Sequence, residues 1–390
     1  MEPIILLPDD EYRLRIERLK ESMESSALSS VLVSDNANKY YLTGRVFAGY
    51  IYVSINLPEL FFVKRPSILE GDGVVYIRKP EQMAESIGMN VPESIGMELD
   101  SLTWSAVQRL KSIFGESELK NASPLLRQQR AVKTAFEIEL LKKSGVKHEY
   151  VYRHIARLYR PGMSDLEFQV EIERLTRLEG CLGQFRIAGD SMELYMGNVL
   201  TGDNADSPSP YDFAMGGRGL DPSLPVGCDG STIRRGTTVM VDMNGNFTGY
   251  MTDMTRTFAL GNIAARAIEA HEVSRNIGCE LAKACPGTEA KEMYEKAKTM
   301  AESAGLGKYF MGHMQKAGFI GHGVGIEVNE LPVIAPKSRD IIREGNVIAL
   351  EPKFVIPGIG AVGIENTYVV GATGMECITN APEEIIYLEE

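Results

Sequence analysis

The sequence contains no hydrophobic run long enough to span a lipid bilayer. Its first residues, MEPIILLPDDEYRLRIERLK, show no basic segment followed by an apolar one, which argues against a signal peptide. Positive charge is also scarce: 41 basic residues stand against 53 acidic ones, and the net charge of −12 argues against binding to nucleic acid or to an anionic membrane. We therefore expect a cytoplasmic protein that acts on a small or neutral substrate.

Disulfide and dinucleotide-binding patterns are absent as well. The cysteines are odd in number and include no C-x-x-C pair, so we expect reduced thiols that pack in the interior. The segment GGRG at 216–219 does not complete a dinucleotide fingerprint between a strand and a helix, and we interpret it as a loop. The five cysteines are Cys181, Cys228, Cys279, Cys285 and Cys377.

The chain is long enough, at 390 residues with 44% hydrophobic content, to form two domains with sizeable cores. An α/β domain is predicted over residues 1–128. Apolar residues at helical spacing predict a helix at its start, and the short apolar runs SSVLVS and GDGVVYIRK are typical of strands between turns. The apolar residues of the opening helix are Leu14, Ile16, Leu19 and Met23.

Residues 129–390 predict a second domain of α+β type. Its first helix has Ile138, Leu141 and Tyr152 at helical spacing, and the next begins with a capping-box pattern at Ser164 and ends at Gly180. Two more helices are predicted over 263–284 and 288–304. Strands are predicted in RRGTTVMVDMNG, GYMTDMTRTFAL, NVIALEPKFVIPG and GAVGIENTYVVG.

Two aspartates stand within a predicted buried hairpin, VMVDMNGNFTGYMTDMTRTFALG. If 246–249 form the turn, Asp242 and Asp253 face each other across the two strands, with Cβ atoms roughly 5 Å apart. Two carboxylates that close repel each other unless a cation or a proton lies between them. The hairpin therefore predicts a bound cation.

A second hairpin is predicted around Pro357 and Gly358, and it places Glu351 and Glu365 as approximate partners. Between the two hairpins, His322 is flanked by glycines in FIGHGVGIEVNELPVI, which allow a ligand to approach the backbone closely. Four carboxylates and one imidazole form a suitable ligand set for two divalent ions. The remaining helical histidines, His148, His154 and His271, have no carboxylate company and are interpreted as structural.

These residues resemble a known family. VDMNGNFTGYMTDMTRTF, GHGVGIEVNELP and IALEPKF…VGIEN are similar to the three metal-site blocks of the M24 metallopeptidases, which include prolidase, aminopeptidase P and methionine aminopeptidase. YYLTG and the opening helix resemble the N-terminal domain shared by creatinase, prolidase and aminopeptidase P. The resemblance implies a creatinase/prolidase-type α/β domain followed by an α+β pita-bread catalytic domain.

The resemblance also implies an activity, namely hydrolysis of Xaa-Pro bonds by a dipeptidase or an aminopeptidase acting on a short peptide. Two divalent ions would activate a bridging water, with manganese, cobalt, zinc and iron as candidates. Asp242 would hold one ion, His322 and Glu351 the other, and Asp253 and Glu365 would bridge them. Glu351 and His322 are thereby the expected catalytic residues, with Glu351 moving the proton, and a homodimer is expected.

The sequence departs from the family pattern around these ligands. Asn329 stands where a histidine is usual before glutamate, Val226 where an upstream histidine is expected, and Gly363 where an arginine is expected. Asn366 replaces an acid. Such neighbours orient ligands and tune metal affinity, so a weaker metal site or another substrate is possible. His313 is a candidate for the missing imidazole.

Three classes of function therefore stay open on the sequence. The first is a metal-dependent peptidase, the second an enzyme of the same fold with other chemistry, such as a creatinase-like C–N hydrolase or a lyase, and the third a non-catalytic binding protein. The intact ligand set favours the first.

Overall fold

The computed structural model describes residues 5–88, 90–189 and 195–389. The described residues up to Arg130 form one compact unit, and those from Ala131 onward form a second. The sequence-based boundary lies between residues 128 and 129. No helix in the described ranges is both long enough and apolar enough to cross a bilayer.

The N-terminal unit is built on a six-stranded mixed sheet in the order β4-β3-β2-β1-β5-β6. Its opening helix is confirmed: Ile16, Leu19 and Met23 are buried, whereas Leu14 is exposed. The helices are α1 (Asp9–Ser25), α2 (Asn36–Thr43), α3 (Met83–Ile87), α4 (Trp104–Lys111) and α5 (Ser123–Ala131), and the strands are β1 (Ser30–Val33), β2 (Ala48–Ser54), β3 (Leu60–Arg65), β4 (Val74–Tyr76), β5 (Ser94–Met97) and β6 (Glu118–Asn121).

Capping boxes begin the first two helices of the C-terminal unit. The Thr134 hydroxyl accepts from the Glu137 N–H, and the Ser164 hydroxyl accepts from the Glu167 N–H, which satisfies otherwise unpaired donors. Gly180, with φ of +98°, follows the second helix as predicted. The helices are α6 (Ala135–His154), α7 (Asp165–Leu178), α8 (Ala265–Leu281) and α9 (Ala290–Ser303).

The strands of this unit form a four-stranded sheet, β17-β9-β8-β7, a five-stranded sheet, β11-β10-β12-β15-β16, and the β13-β14 pair. Helix α8 packs against β13 and β14 around Ile277, Val355 and Val362. The strands are β7 (Gly197–Thr201), β8 (Thr238–Asn246), β9 (Met251–Leu260), β10 (Gly321–Gly323), β11 (Glu330–Ile334), β12 (Val347–Leu350), β13 (Lys353–Ile356), β14 (Gly360–Gly363), β15 (Asn366–Gly371), β16 (Gly374–Cys377) and β17 (Ile386–Leu388).

The predicted hairpin of the two aspartates is present, but its predicted register is wrong. The turn is displaced by one residue, so Asp242 faces Thr255 and Asn244 faces Asp253. Asn246 remains in the strand, where its side-chain oxygen accepts from the N–H of Gly249 and closes the turn. Because this shift moves the pairing by two positions, both aspartates still lie on the same face of the sheet.

The second hairpin has the predicted register. Lys353 pairs with Gly363, and continuation of this pairing beyond the strands brings Glu351 opposite Glu365. The segment GGRG lies in a loop, as predicted. Of the five free cysteines, Cys279 and Cys285 are exposed, so the expectation of interior packing is wrong for these two.

Candidate metal centre

One cavity of about 80 Å³ collects all five predicted metal ligands. Backbone pairing explains the convergence. Strand β10, which carries His322, pairs with β12, and Glu351 directly follows β12. Thr255 of β9 forms an isolated β-bridge with Glu365. The ligands that line the cavity are Asp242, Asp253, His322, Glu351 and Glu365.

Asp253, His322 and Glu365 form the first group, and one ligand atom from each lies within 4.8 Å of the others. The His322 Nε2 atom is 3.5 Å from Glu351 Oε1, 3.8 Å from Asp253 Oδ2 and 4.0 Å from Glu365 Oε1. These distances are too long for hydrogen bonds but match ligands that share one ion, which stand about 3.4 Å apart in a tetrahedral site. The group therefore fits a divalent ion.

The imidazole of His322 is oriented for this purpose. Its Nδ1 atom lies 3.1 Å from the carbonyl oxygen of Gly323. Because a carbonyl oxygen can only accept a hydrogen bond, Nδ1 carries the hydrogen and Nε2 does not. The lone pair of Nε2 is then directed toward carboxylate oxygens, an arrangement that a cation between them stabilises.

Asp242, Glu351 and Glu365 form the second group, and a lysine lies at its centre. Lys353 is completely buried, and its Nζ donates to Glu351 Oε2 at 2.7 Å, Asp242 Oδ2 at 2.9 Å and Glu365 Oε2 at 3.0 Å. The second group is thus already neutralised in part by a side chain of the protein.

The electrostatics of the site reflect this crowding. Burial raises the pKa of Asp253 well above its usual range, and the charges of Glu365, Asp242 and Glu351 raise it further. Burial likewise raises the pKa of Asp242 to about 6, against the opposing effect of the Lys353 charge. Burial alone would lower the pKa of Lys353, but the three carboxylates outweigh it and hold that pKa well above its ordinary value.

Neighbouring side chains hold the carboxylates in place. The Thr255 hydroxyl donates to Glu365 Oε2 at 2.7 Å, and the buried guanidinium of Arg256 donates to the Glu365 carbonyl at 2.8 Å. With its amide nitrogen turned toward the site, Asn244 donates to both carboxylate oxygens of Asp253, at 3.1 and 3.3 Å. Asn366 stands where the family pattern has an acid, and its side-chain oxygen accepts from the Arg256 guanidinium at 2.7 Å. These contacts fix the geometry of the ligand groups.

Asn329 lines the cavity, and its amide holds the backbone of Ala188. Its oxygen accepts from the Ala188 N–H at 2.7 Å, and its nitrogen donates to the Ala188 carbonyl at 2.6 Å. These two hydrogen bonds hold the backbone next to Ile187, another residue that lines the cavity.

His313 is exposed, and its Nδ1 atom lies 3.0 Å from Asp206 Oδ2. Among the described residues it is not one that lines the cavity, so the structure does not place it as a substitute imidazole. Val226 is buried in the loop near Gly219. At Gly363, φ is +142°, and an added Cβ would lie 2.7 Å from the Pro352 carbonyl oxygen, which excludes arginine there without rearrangement.

Lys353 is a residue of the candidate site that was not predicted from the sequence. A signal for it was present, because side chains two apart on an extended segment share a face, and Lys353 follows Glu351 by two. Its register partner is Gly363, where the resemblance predicts an arginine. A positive charge is therefore retained in this hairpin, but on the opposite strand.

Comparison with known proteins supports the same reading of the chain. The sequence model of metallopeptidase family M24 matches residues 139–372, and that of the creatinase/prolidase N-terminal domain matches residues 15–132. The chain is 26% identical to a Xaa-Pro dipeptidase of Pyrococcus horikoshii, over 95% of this chain and 98% of the relative. It is 27% identical to the uncharacterized peptidase YqhT of Bacillus subtilis, over 96% of this chain and all of the relative.

Solved structures show the same two-domain fold. A Xaa-Pro dipeptidase from Bacillus anthracis superposes with a TM-score of 0.82 at 24% identity, covering 97% of this chain and 100% of the other. An X-Pro aminopeptidase from Thermotoga maritima gives a TM-score of 0.78 at 22% identity, covering 95% and 99%. Because the family model spans more than half of its length, the chain belongs to the M24 metallopeptidase family.

Proposed function

We propose that this metallopeptidase hydrolyses the bond before proline in short peptides. The observation that carries the proposal is the convergence of four carboxylates and His322 on one small cavity. The names of similar proteins, Xaa-Pro dipeptidase and X-Pro aminopeptidase, support the substrate class.

The first group, Asp253, His322 and Glu365, is proposed to hold a divalent ion, with Glu351 close enough to join it. A bound divalent ion would supply a Lewis acid for the scissile carbonyl and would lower the pKa of a water. Manganese, cobalt, zinc and iron all suit a set of carboxylate oxygens with one imidazole.

Glu351 is proposed to move the proton. One of its oxygens is 3.5 Å from His322 Nε2, while the other accepts from Lys353, so the carboxylate lies between the two groups of ligands. From there it can accept a proton from the attacking water and deliver it to the leaving nitrogen. The step is essential for any peptide bond, because an amide nitrogen leaves only after it gains a proton; the proline nitrogen then leaves as a secondary amine.

The cavity wall supports a compact apolar substrate group. Ile187, Phe213, Ala214, Phe319 and Val328 contribute apolar side chains to its lining. Such walls suit a compact apolar group such as the pyrrolidine ring.

Three further features are proposed on the family resemblance. The expected assembly is a homodimer, the expected location is the cytoplasm, and manganese is the first ion to test. Assays on dipeptides and tripeptides distinguish a dipeptidase from an aminopeptidase.

The test is a panel of matched peptides, Xaa-Pro, Xaa-Ala and Xaa-Pro-Ala, assayed with added manganese or cobalt and with a chelator. We expect cleavage of Xaa-Pro with metal and none with chelator. Cleavage of the tripeptide before proline would identify an aminopeptidase. No cleavage of any Xaa-Pro peptide at saturating metal would contradict the proposal.

A second candidate is hydrolysis of another C–N bond in a small molecule by the same fold. Asn329 favours it, since an amide cannot transfer a proton as the expected histidine could. Creatine in the same assay tests this candidate. Binding without turnover in both assays would instead indicate the non-catalytic class.

A further inference from the structure

Lys353 makes the contacts that a second metal ion would make. Its ammonium has three N–H donors, and three carboxylates accept from it, those of Asp242, Glu351 and Glu365. Every donor therefore has a charged acceptor, which is the condition under which a lysine charge is stable in a protein interior.

In both Glu365 and Glu351, one carboxylate oxygen contacts Lys353 and the other lies near His322. In each, Oε2 accepts from Lys353, while Oε1 is directed toward His322 Nε2, at 4.0 Å for Glu365 and 3.5 Å for Glu351. Both carboxylates thus join two positive positions. One is the Lys353 ammonium, and the other is the ion position beside His322.

A second ion in the group of Asp242, Glu351 and Glu365 would need the oxygens that Lys353 already uses. Carboxylate oxygens bind a divalent ion at about 2.0–2.2 Å, whereas these oxygens lie 2.7–3.0 Å from the ammonium nitrogen. An ion bonded to all three would either coincide with the ammonium or lie directly across from it, where the two charges repel strongly. The three-residue group of Asp242, Glu351 and Glu365 therefore does not fit an ion while Lys353 is present.

We propose that the Lys353 ammonium takes the place of one metal ion, so that the chain holds a single exchangeable divalent ion, at Asp253, His322 and Glu365. The inference rests on the proposed function only in taking the protein to be a metal enzyme. Strand β13 fixes the lysine, since the N–H of Met311 donates to the Lys353 carbonyl at 2.9 Å, and the glycine at 363 places no side chain opposite it.

The test is the number of Mn²⁺ ions bound per chain, measured by equilibrium dialysis and elemental analysis of the full chain. We expect one ion in the wild type and two in Lys353→Ala, because the variant frees three carboxylates. Lys133→Ala is the matched control: Lys133 is also buried and paired, with Glu330, but lies outside the carboxylate groups, so its count should stay at one. A wild-type count of two or of zero, or an unchanged count in Lys353→Ala, would overturn the inference.

A second variant keeps the test decisive if Lys353→Ala does not fold. Asp242 belongs only to the group around Lys353, so Asp242→Asn should leave the Mn²⁺ count at one, and it should weaken Mn²⁺ binding less than the loss of a ligand does. Asp253→Asn should weaken Mn²⁺ binding by more than about tenfold. Loss of an ion in Asp242→Asn would contradict the inference.

The count is independent of the peptide assay. One bound ion without cleavage of any Xaa-Pro peptide would contradict the proposed function alone. Two bound ions with cleavage would contradict only the role of Lys353.

Discussion

At the scale of single residues, Glu351 is the most informative position, because it touches both positive positions of the site. We predict that Glu351→Gln lowers kcat on the best peptide by about 10²-fold or more, since glutamine keeps the size of the side chain but cannot carry the proton. The measurement is steady-state kinetics with the metal content determined on the same sample.

The matched control for Glu351→Gln is Glu139→Gln, which makes the same change on the exposed face of α6. It should leave kcat unchanged. Near-normal kcat in Glu351→Gln at full metal occupancy would remove Glu351 from the mechanism.

Asn329 gives a second prediction at this scale. Replacing it by the histidine that the family usually carries would break one or both hydrogen bonds to the Ala188 backbone. We therefore expect Asn329→His to lower kcat/KM on Xaa-Pro peptides rather than raise it, and to lower stability by about 0.5–1.5 kcal/mol for each bond lost, the usual net contribution of such a bond. Kinetics and urea denaturation measure the two effects, and a gain in rate would show that the missing imidazole limits the reaction.

At the scale of elements, the β13-β14 hairpin depends on Gly363. Its φ of +142° and the Pro352 carbonyl oxygen, 2.7 Å from an added Cβ, leave no room for a side chain. We predict that Gly363→Ala lowers the free energy of unfolding by at least about 1–3 kcal/mol through backbone strain, with a further loss from the close contact. Gly318→Ala is the control, since an added Cβ there meets nothing within 4 Å.

Denaturant unfolding of both glycine variants decides the matter. Equal stability of Gly363→Ala and Gly318→Ala would mean that the hairpin rearranges freely, and the position of Lys353 would then not be fixed by its strand partner.

At the scale of the whole molecule, His148 links stability to pH. Burial, followed by the charge of Arg256, lowers the pKa of His148 to about 3, and its Nε2 has no hydrogen-bond partner among the described residues. An unfolded histidine has a pKa of about 6.5, so between these values the unfolded chain binds a proton that the folded chain does not. The contribution of His148 to stability is complete above about pH 6.5 and is lost as the pH falls toward 3, by about 1.4 kcal/mol per pH unit.

The prediction is tested by urea denaturation at intervals from about pH 7 to about pH 4. His148→Gln should show a shallower loss of stability on acidification than the wild type. His154→Gln, at the partly exposed end of α6, is the control and should follow the wild type. A wild-type slope in His148→Gln would show that other groups account for acid unfolding.

Much of this fold could be predicted because its signals are local. The capping box at Ser164, the apolar spacing of α1 and α6, and the glycine-bounded strands depend on neighbours within a few residues. Register is less local: a one-residue displacement of the β8-β9 turn, closed by Asn246, moved the partner of Asp253 from Asp242 to Asn244. Both aspartates still lie on the same face of the sheet, because the observed pairing differs from the predicted one by two positions.

The sequence alone predicted which five side chains would meet in one cavity, through the three blocks around Asp242, His322 and Glu351. Only the tertiary structure decided what balances their charge. Lys353 and Asp242 are 111 residues apart, and their contact at 2.9 Å arises from the meeting of two hairpins. A buried ammonium is stable only where acceptors pair with it, and the meeting of those acceptors is a property of the assembled interior rather than of any segment of the chain.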